Sequence, residues 1–163
     1  MAKQIAVSAD LSNLYHCIRK KYKGKKIDFK KLLEWVKDIG QIVSACAYGS
    51  QVKDEAQRFI HCLHANGWET KYKRTNIRRT SWDVGITVDT IRLIDSGLID
   101  TLVLCSANGD LKDLVMYCNE HNVSTIILAC EISKRLQAEA HTIVEFPESL
   151  LEEGGKDATT KVA

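Results

Sequence analysis

Six residues in three short segments carry side chains suited to holding a hard cation: Asp10 and Asn13; Asp83; and Ser106, Asn108 and Asp110. The apolar run Ile5-Ala-Val-Ser-Ala9 stops at Asp10, and the run Leu102-Val-Leu-Cys105 stops in the turn Ser106-Ala-Asn-Gly-Asp110. Two buried strands of a parallel sheet that both end in carboxylates would present them at one edge, where open α/β folds bind their ligands. Asp83, at the start of a helical pattern that feeds the second of these strands, could reach the same rim. Crowded carboxylates repel one another, so one or more must take up a proton unless a cation sits among them. Magnesium suits a site of few carboxylates plus water, and a bound ion lowers the pKa of water and clamps the oxygens of a phosphodiester. The chemistry expected is hydrolysis. Each acid also has a structural alternative: Asp10, Asn108 and Asp110 could cap the helices that follow them, and Asp83 suits the positive end of a helix dipole.

The elements needed to position these groups are legible as periodicity. Strands are expected over residues 3–9, 41–48, 68–72, 101–105, 124–129 and 142–146, and helices over 11–22, 28–38, 53–65, 83–96, 111–121 and 133–140. In the helix from Asp83 the expected inward stripe is Val84, Val88, Ile91 and Leu98. A brief helix follows Pro147, and residues 154–163 read as a disordered tail. Strands separated by helices imply an α/β fold with a mainly parallel sheet covered on both faces, in a single domain over residues 1–153.

Composition sets the outer bounds. A chain of 163 residues with 45% hydrophobic and 27% charged residues has the balance of a soluble globular domain. No apolar run approaches the ~18 residues of a membrane span. Without a basic and apolar leader in residues 1–12, the expected compartment is the cytosol. The six cysteines form no Cys-x-x-Cys pair and read as reduced core filler; His61 and His64 lack a second ligand pair for zinc. No Gly-x-Gly-x-x-Gly or lysine-containing phosphate loop is present. Residues 1–79 hold 17 Lys/Arg against 7 Asp/Glu, while residues 80–163 hold 6 against 14. One reading is a polyanion on the basic half and metal ions on the acidic half; the other is two solvated faces. Two basic segments stand out: Lys20, Lys21, Lys23, Lys25 and Lys26 around Tyr22, and Lys71, Lys73, Arg74, Arg78 and Arg79 near Tyr72 and Trp82. Cations interleaved with aromatics suit single-stranded RNA.

Three segments together resemble a known family. Asp10-Leu-Ser-Asn13-Leu-Tyr15 is similar to the Asp-x-x-Asn-Leu-Tyr opening of NYN domains, in the LabA-like branch of the PIN-like nucleases. Trp82-Asp83-Val-Gly-Ile-Thr-Val-Asp89 resembles the family's Val-Asp-Val-x-Leu-x-x-Asp helix. Cys105-Ser-Ala-Asn-Gly-Asp-Leu111 stands where the family has Ser-Gly-Asp-Gly-Asp-Phe. The resemblance spans roughly residues 3–146. It implies a PIN-like three-layer sandwich with strand order 3-2-1-4-5, and Mg2+- or Mn2+-dependent cleavage of RNA. By the same resemblance Asp10, Asp83 and Asp110 would be metal ligands, Asn13 and Ser106 orienting or phosphate-binding groups, and a homodimer the assembly.

Departures from that pattern point to a second outcome. Asn108 replaces a family acid but still offers a carbonyl oxygen, and His141 stands where the family has the Asp of an Ala-Asp pair. Their combined loss of charge would leave a weakened metal site, or an RNA-binding module without catalysis. Asp89 lies about 240° around a regular helix from Asp83 and so cannot share its site. Asp113, one turn beyond Asp110, could compensate for the lost acids or simply face solvent.

Overall fold

The computed structural model of the protein describes residues 1–51, 56–74 and 81–154. Six parallel strands form one sheet: β1 (Gln4–Asp10), β3 (Gln41–Gln51), β4 (Glu69–Arg74), β5 (Thr101–Cys105), β6 (Ser124–Ala129) and β7 (Thr142–Glu145), in the order β4-β3-β1-β5-β6-β7. The expected five-strand order is contained in this sheet, extended by β7 at the edge. The helices are α1 (Leu11–Lys21), α2 (Phe29–Lys37), α3 (Ala56–Ala65), α4 (Asp83–Asp95), α5 (Lys112–Glu120) and α6 (Lys134–Glu139). β1 is central because it can be: residues 5–10 are all buried, as a strand covered on both faces requires. It pairs with β3 on one side and β5 on the other. The chain therefore runs outward in both directions from β1, and the switch point falls between the ends of β1 and β5.

Local chemistry sets the helix ends. Asp28 caps α2 by accepting the Lys31 N–H at 3.0 Å, and Gly67 (φ 95°) and Gly97 (φ 70°) take the left-handed conformation after α3 and α4. On one face of the sheet Tyr15, Phe29, Phe59 and Trp68 pack ring to ring at 5.5 to 6.5 Å, and the Trp68 indole N–H donates to the Phe29 carbonyl at 3.1 Å.

Two expectations need correction. The inner face of α4 is Ile86, Thr90 and Ile94, whereas Val84, Val88 and Leu98 are 77%, 41% and 52% exposed; apolar residues recur on both sides of this helix, so its period fits either set. Lys71, Lys73 and Arg74 belong to β4, not to a loop, while Arg78 and Arg79 lie outside the described residues. Past Pro147 the expected brief helix is present as a single turn over Glu148–Leu150, after which β8 (Leu151–Glu153) pairs antiparallel with β2 (Lys25–Ile27). That ladder sets Lys25 opposite Glu153 and Lys26 opposite Glu152, the favourable cross-strand arrangement.

The charge asymmetry has an internal partner. Lys20–Glu131, Lys21–Glu145, Lys25–Glu153, Lys26–Glu152 and Lys71–Asp89 each join a cation of the first half to an acid of the second. Among the described residues no helix is long and apolar enough to cross a membrane.

Candidate acidic site at the switch point

Asp10 ends β1 and is 7% exposed. It is the N-cap of α1 that its sequence position allows. One carboxylate oxygen accepts the Asn13 N–H at 3.4 Å, and the other accepts from the Ser106 hydroxyl at 3.2 Å. Ser106 in turn accepts the Asn108 N–H at 3.2 Å, so its proton is directed at Asp10. Asn13 reaches across the switch point, its side-chain oxygen accepting the Ala107 N–H at 2.9 Å. These bonds tie the start of α1 to the loop after β5. Burial holds the Asp10 carboxyl above its usual range, and the charge of Asp83 adds a smaller push in the same direction; the Asn13 N–H and the Ser106 hydroxyl oppose them by favouring the anion.

Asp83 enters from α4. The Asn108 side-chain NH2 donates to both Asp83 carboxylate oxygens at 3.1 Å, while the Asn108 carbonyl oxygen accepts the Asp110 N–H at 3.0 Å. This pattern fixes the amide orientation, since the reverse would face oxygen with oxygen. The carbonyl that the sequence offers as a cation ligand is thus occupied by the backbone, and the group facing Asp83 is a donor.

Asp10, Asn13, Ser106, Asn108 and Asp83 therefore form one connected network. Asp110 adjoins it through its backbone N–H, but its carboxylate faces outward to Arg135 at 3.4 Å, with both side chains about two-thirds exposed. Among the described residues no group of three His, Cys, Asp or Glu converges as a cation cage. Asp89 accepts from the Tyr48 hydroxyl at 2.8 Å and from Lys71 at 2.6 Å, lining a cleft of about 370 Å3 beneath α4 with Ser8, Cys46 and Arg92; as the helical angle requires, it stands apart from Asp83. Asp113 is exposed. His141 is exposed at the amino end of β7. Strand registers set it level with Ala6, four residues and about 13 Å short of Asp10 along the strand direction, so position 141 does not touch this network.

Two neighbours complete the surroundings of the site: Trp82, which the sequence marks only as an aromatic beside the basic segment and the Asp83 motif, and Arg135, which carries no sequence signal. Trp82, just before Asp83, donates its indole N–H to the Gly49 carbonyl at 2.8 Å and packs on Tyr48 at 5.3 Å, with Lys73 Nζ 4.2 Å from its ring centroid. Arg135 lies so close to Gly109 that a Cβ there would sit 2.9 Å from two guanidinium nitrogens. The buried thiols are not reactive groups: burial pushes Cys105 up to about 12 and Cys46 up to about 11.

The fold of this chain is similar to the crystal structure of a protein of unknown function from Vibrio parahaemolyticus. The two are 26% identical, the match covers 93% of this chain and 97% of that one, and the TM-score is 0.82. No curated protein matches. The NYN domain matches residues 4–150, a span that takes in the ends of β1 and β5 and the whole of α4, and the chain accordingly belongs to the NYN domain family of the PIN-like nuclease superfamily.

Proposed function

We propose that the protein is a metal-dependent ribonuclease that hydrolyses RNA phosphodiester bonds at the Asp10–Asp83 site. The observation that carries this reading is a buried carboxylate with a raised pKa, Asp10, held at the switch point in one network with a second acid from a distant helix. Family membership supports it, since NYN domains are generally RNA-associated and PIN-like nucleases generally use divalent metals. The donor chemistry fits a hard cation in part: Asp10 and Asp83 supply carboxylate oxygens, and Asp110 is joined to Arg135 by an exposed contact worth about 0–1 kcal/mol, so its side chain can be recruited at little cost. Asp10 and Asp83 would hold Mg2+ or Mn2+, which when bound supplies an activated water and charge stabilisation. Ser106 and Asn13 orient Asp10 and favour its anion. The six free cysteines support a reducing, cytosolic setting. Val84 and Val88, exposed on the outward side of α4, support a homodimer, and a purely monomeric sedimentation profile would exclude it.

Single-stranded RNA incubated in Mg2+ and in Mn2+ tests the reading. Cleavage by the wild type that is lost in both Asp10→Asn and Asp83→Asn is the expected result. Equal cleavage by all three proteins would mean that the activity lies elsewhere.

A second reading is favoured by one observation, the Asn108 amide occupying both oxygens of Asp83. In it the protein binds RNA without cutting it. Calorimetric titration with Mg2+ separates the two: saturable uptake abolished by Asp10→Asn contradicts this second reading, and absent uptake with retained RNA binding favours it.

A further inference from the structure

We propose that Lys73 and Arg135, which flank the Asp10–Asp83 site from opposite sides, are the two cations that hold RNA phosphates there, in place of the lysine-rich segment 20–26. This rests on the ribonuclease reading for its substrate. Four of the five lysines in that segment face a carboxylate: Lys20, Lys21, Lys25 and Lys26. Their field is cancelled locally, and a phosphate approaching them meets an anion beside each cation.

Lys73 differs. Its ammonium donates to the Ser81 carbonyl at 3.1 Å and lies over the Trp82 indole, with no carboxylate bonded to it among the described residues. A cation on an aromatic face and a carbonyl keeps its full charge. Trp82 is itself immobilised by Gly49 and Tyr48 and leads directly into Asp83, so that charge is fixed beside the acid.

Arg135 stands on the other side, where β6 leads into α6. Sheet order puts β4, which carries Lys73, and the β6–α6 connection on opposite sides of β1. The guanidinium is seated against Gly109 in a space that any Cβ would fill, and the loop beneath it is anchored by the Ser133 N–H on the Ala107 carbonyl at 3.2 Å. Its one carboxylate contact, to Asp110 at 3.4 Å, is the longest ion pair among the described residues. Five donors in a rigid plane, one of them weakly engaged, suit a phosphate approached bidentately. Between the two cations lie Asp83, Asn108 and Asp10, which is where a strand gripped at both ends would present its backbone.

Binding of a single-stranded oligouridine, followed by fluorescence anisotropy in EDTA across a salt series, tests this. Lys73→Gln and Arg135→Gln should each weaken binding about three- to tenfold and together reduce the salt slope by about 1.4, at roughly 0.7 per phosphate contact on a single strand. The double variant Lys20→Gln/Lys26→Gln should stay within about twofold of wild type. Gly109→Ala, whose Cβ would meet Ser133 Oγ at 2.7 Å and the Arg135 guanidinium at 2.9 Å, should reproduce the loss at Arg135 by displacing both. Unchanged affinity and slope in the Lys73 and Arg135 variants, or an equal loss in the Lys20/Lys26 variant, would overturn the inference. If that happens while Asp10→Asn still abolishes cleavage, the ribonuclease reading stands alone. Undiminished cleavage in Asp10→Asn overturns that reading without touching the binding result, and failure of the wild type to bind RNA overturns both.

Discussion

Asn108 sits between carboxylate neighbours without repelling them, which a carboxylate at this position would need a cation to do. Its NH2 holds Asp83 while its oxygen caps the turn that begins at Gly109. Asn108→Asp replaces those two donor contacts by a carboxylate facing a carboxylate. In EDTA the variant should lose about 1–3 kcal/mol of stability, the cost of breaking hydrogen bonds to a partly buried charge, and in Mg2+ it should bind the ion more tightly than wild type. Denaturant titration and calorimetry check the two halves separately. Unaltered Mg2+ affinity would mean that the residue serves only as a cap. Sequence already raised both roles for Asn108, ligand and cap. Only the direction of its amide, fixed by Asp83 and the Asp110 N–H, separates them.

At the scale of elements, α4 is the piece whose placement decides whether Asp83 reaches the site, and Gly85 controls that placement. Gly85 lies in the first turn of α4, where relief of glycine's helix cost, at most about 1 kcal/mol relative to alanine, would make Gly85→Ala mildly stabilising. Here a Cβ would lie 2.6 Å from Cε3 of Trp82, forcing the indole off Gly49 and Tyr48. The expected outcome is therefore a loss of about 1–3 kcal/mol, as for an overpacked core, together with weaker Mg2+ binding through a displaced Asp83. A gain in the denaturation midpoint would show that Trp82 moves freely. Legibility at this scale follows the strength of the local pattern. β5 and β6 are uninterrupted apolar runs between polar turns and are read to the residue, whereas the inward face of α4 is ambiguous because Val84, Ile86, Val88, Ile91 and Ile94 supply apolar positions all around it. β8 is three residues long and exists only because β2 offers it a partner.

For the whole molecule, the buried Asp10 couples the site to stability. A carboxyl whose folded pKa is raised binds protons more readily native than unfolded, so its unfavourable contribution is fully present above the raised value and vanishes below the unfolded value near 4. Asp10→Asn keeps a side chain able to cap α1 and removes the buried charge. In EDTA the variant should melt higher than wild type at pH 7, and the gap should close as pH falls toward 4. Thermal melts across that range check it, and a wild type that is the more stable of the two at pH 7 would contradict it. The same scale explains the lopsided charge. Among the described residues, part of the excess of cations in the first half is met by acids of the second through five ion pairs, a complementarity invisible until the two halves are folded together.

The sequence by itself determined the α/β alternation, the buried first strand and the acids waiting at the ends of β1 and β5, because hydrophobic period and strand termination are local properties. Tertiary structure alone decided that Asp83 joins Asp10 through Asn108 and Ser106, that the Asp110 carboxylate turns to Arg135, and that most of the lysine-rich segment is neutralised. Those outcomes depend on distances between side chains dozens of residues apart, which no spacing along the chain encodes.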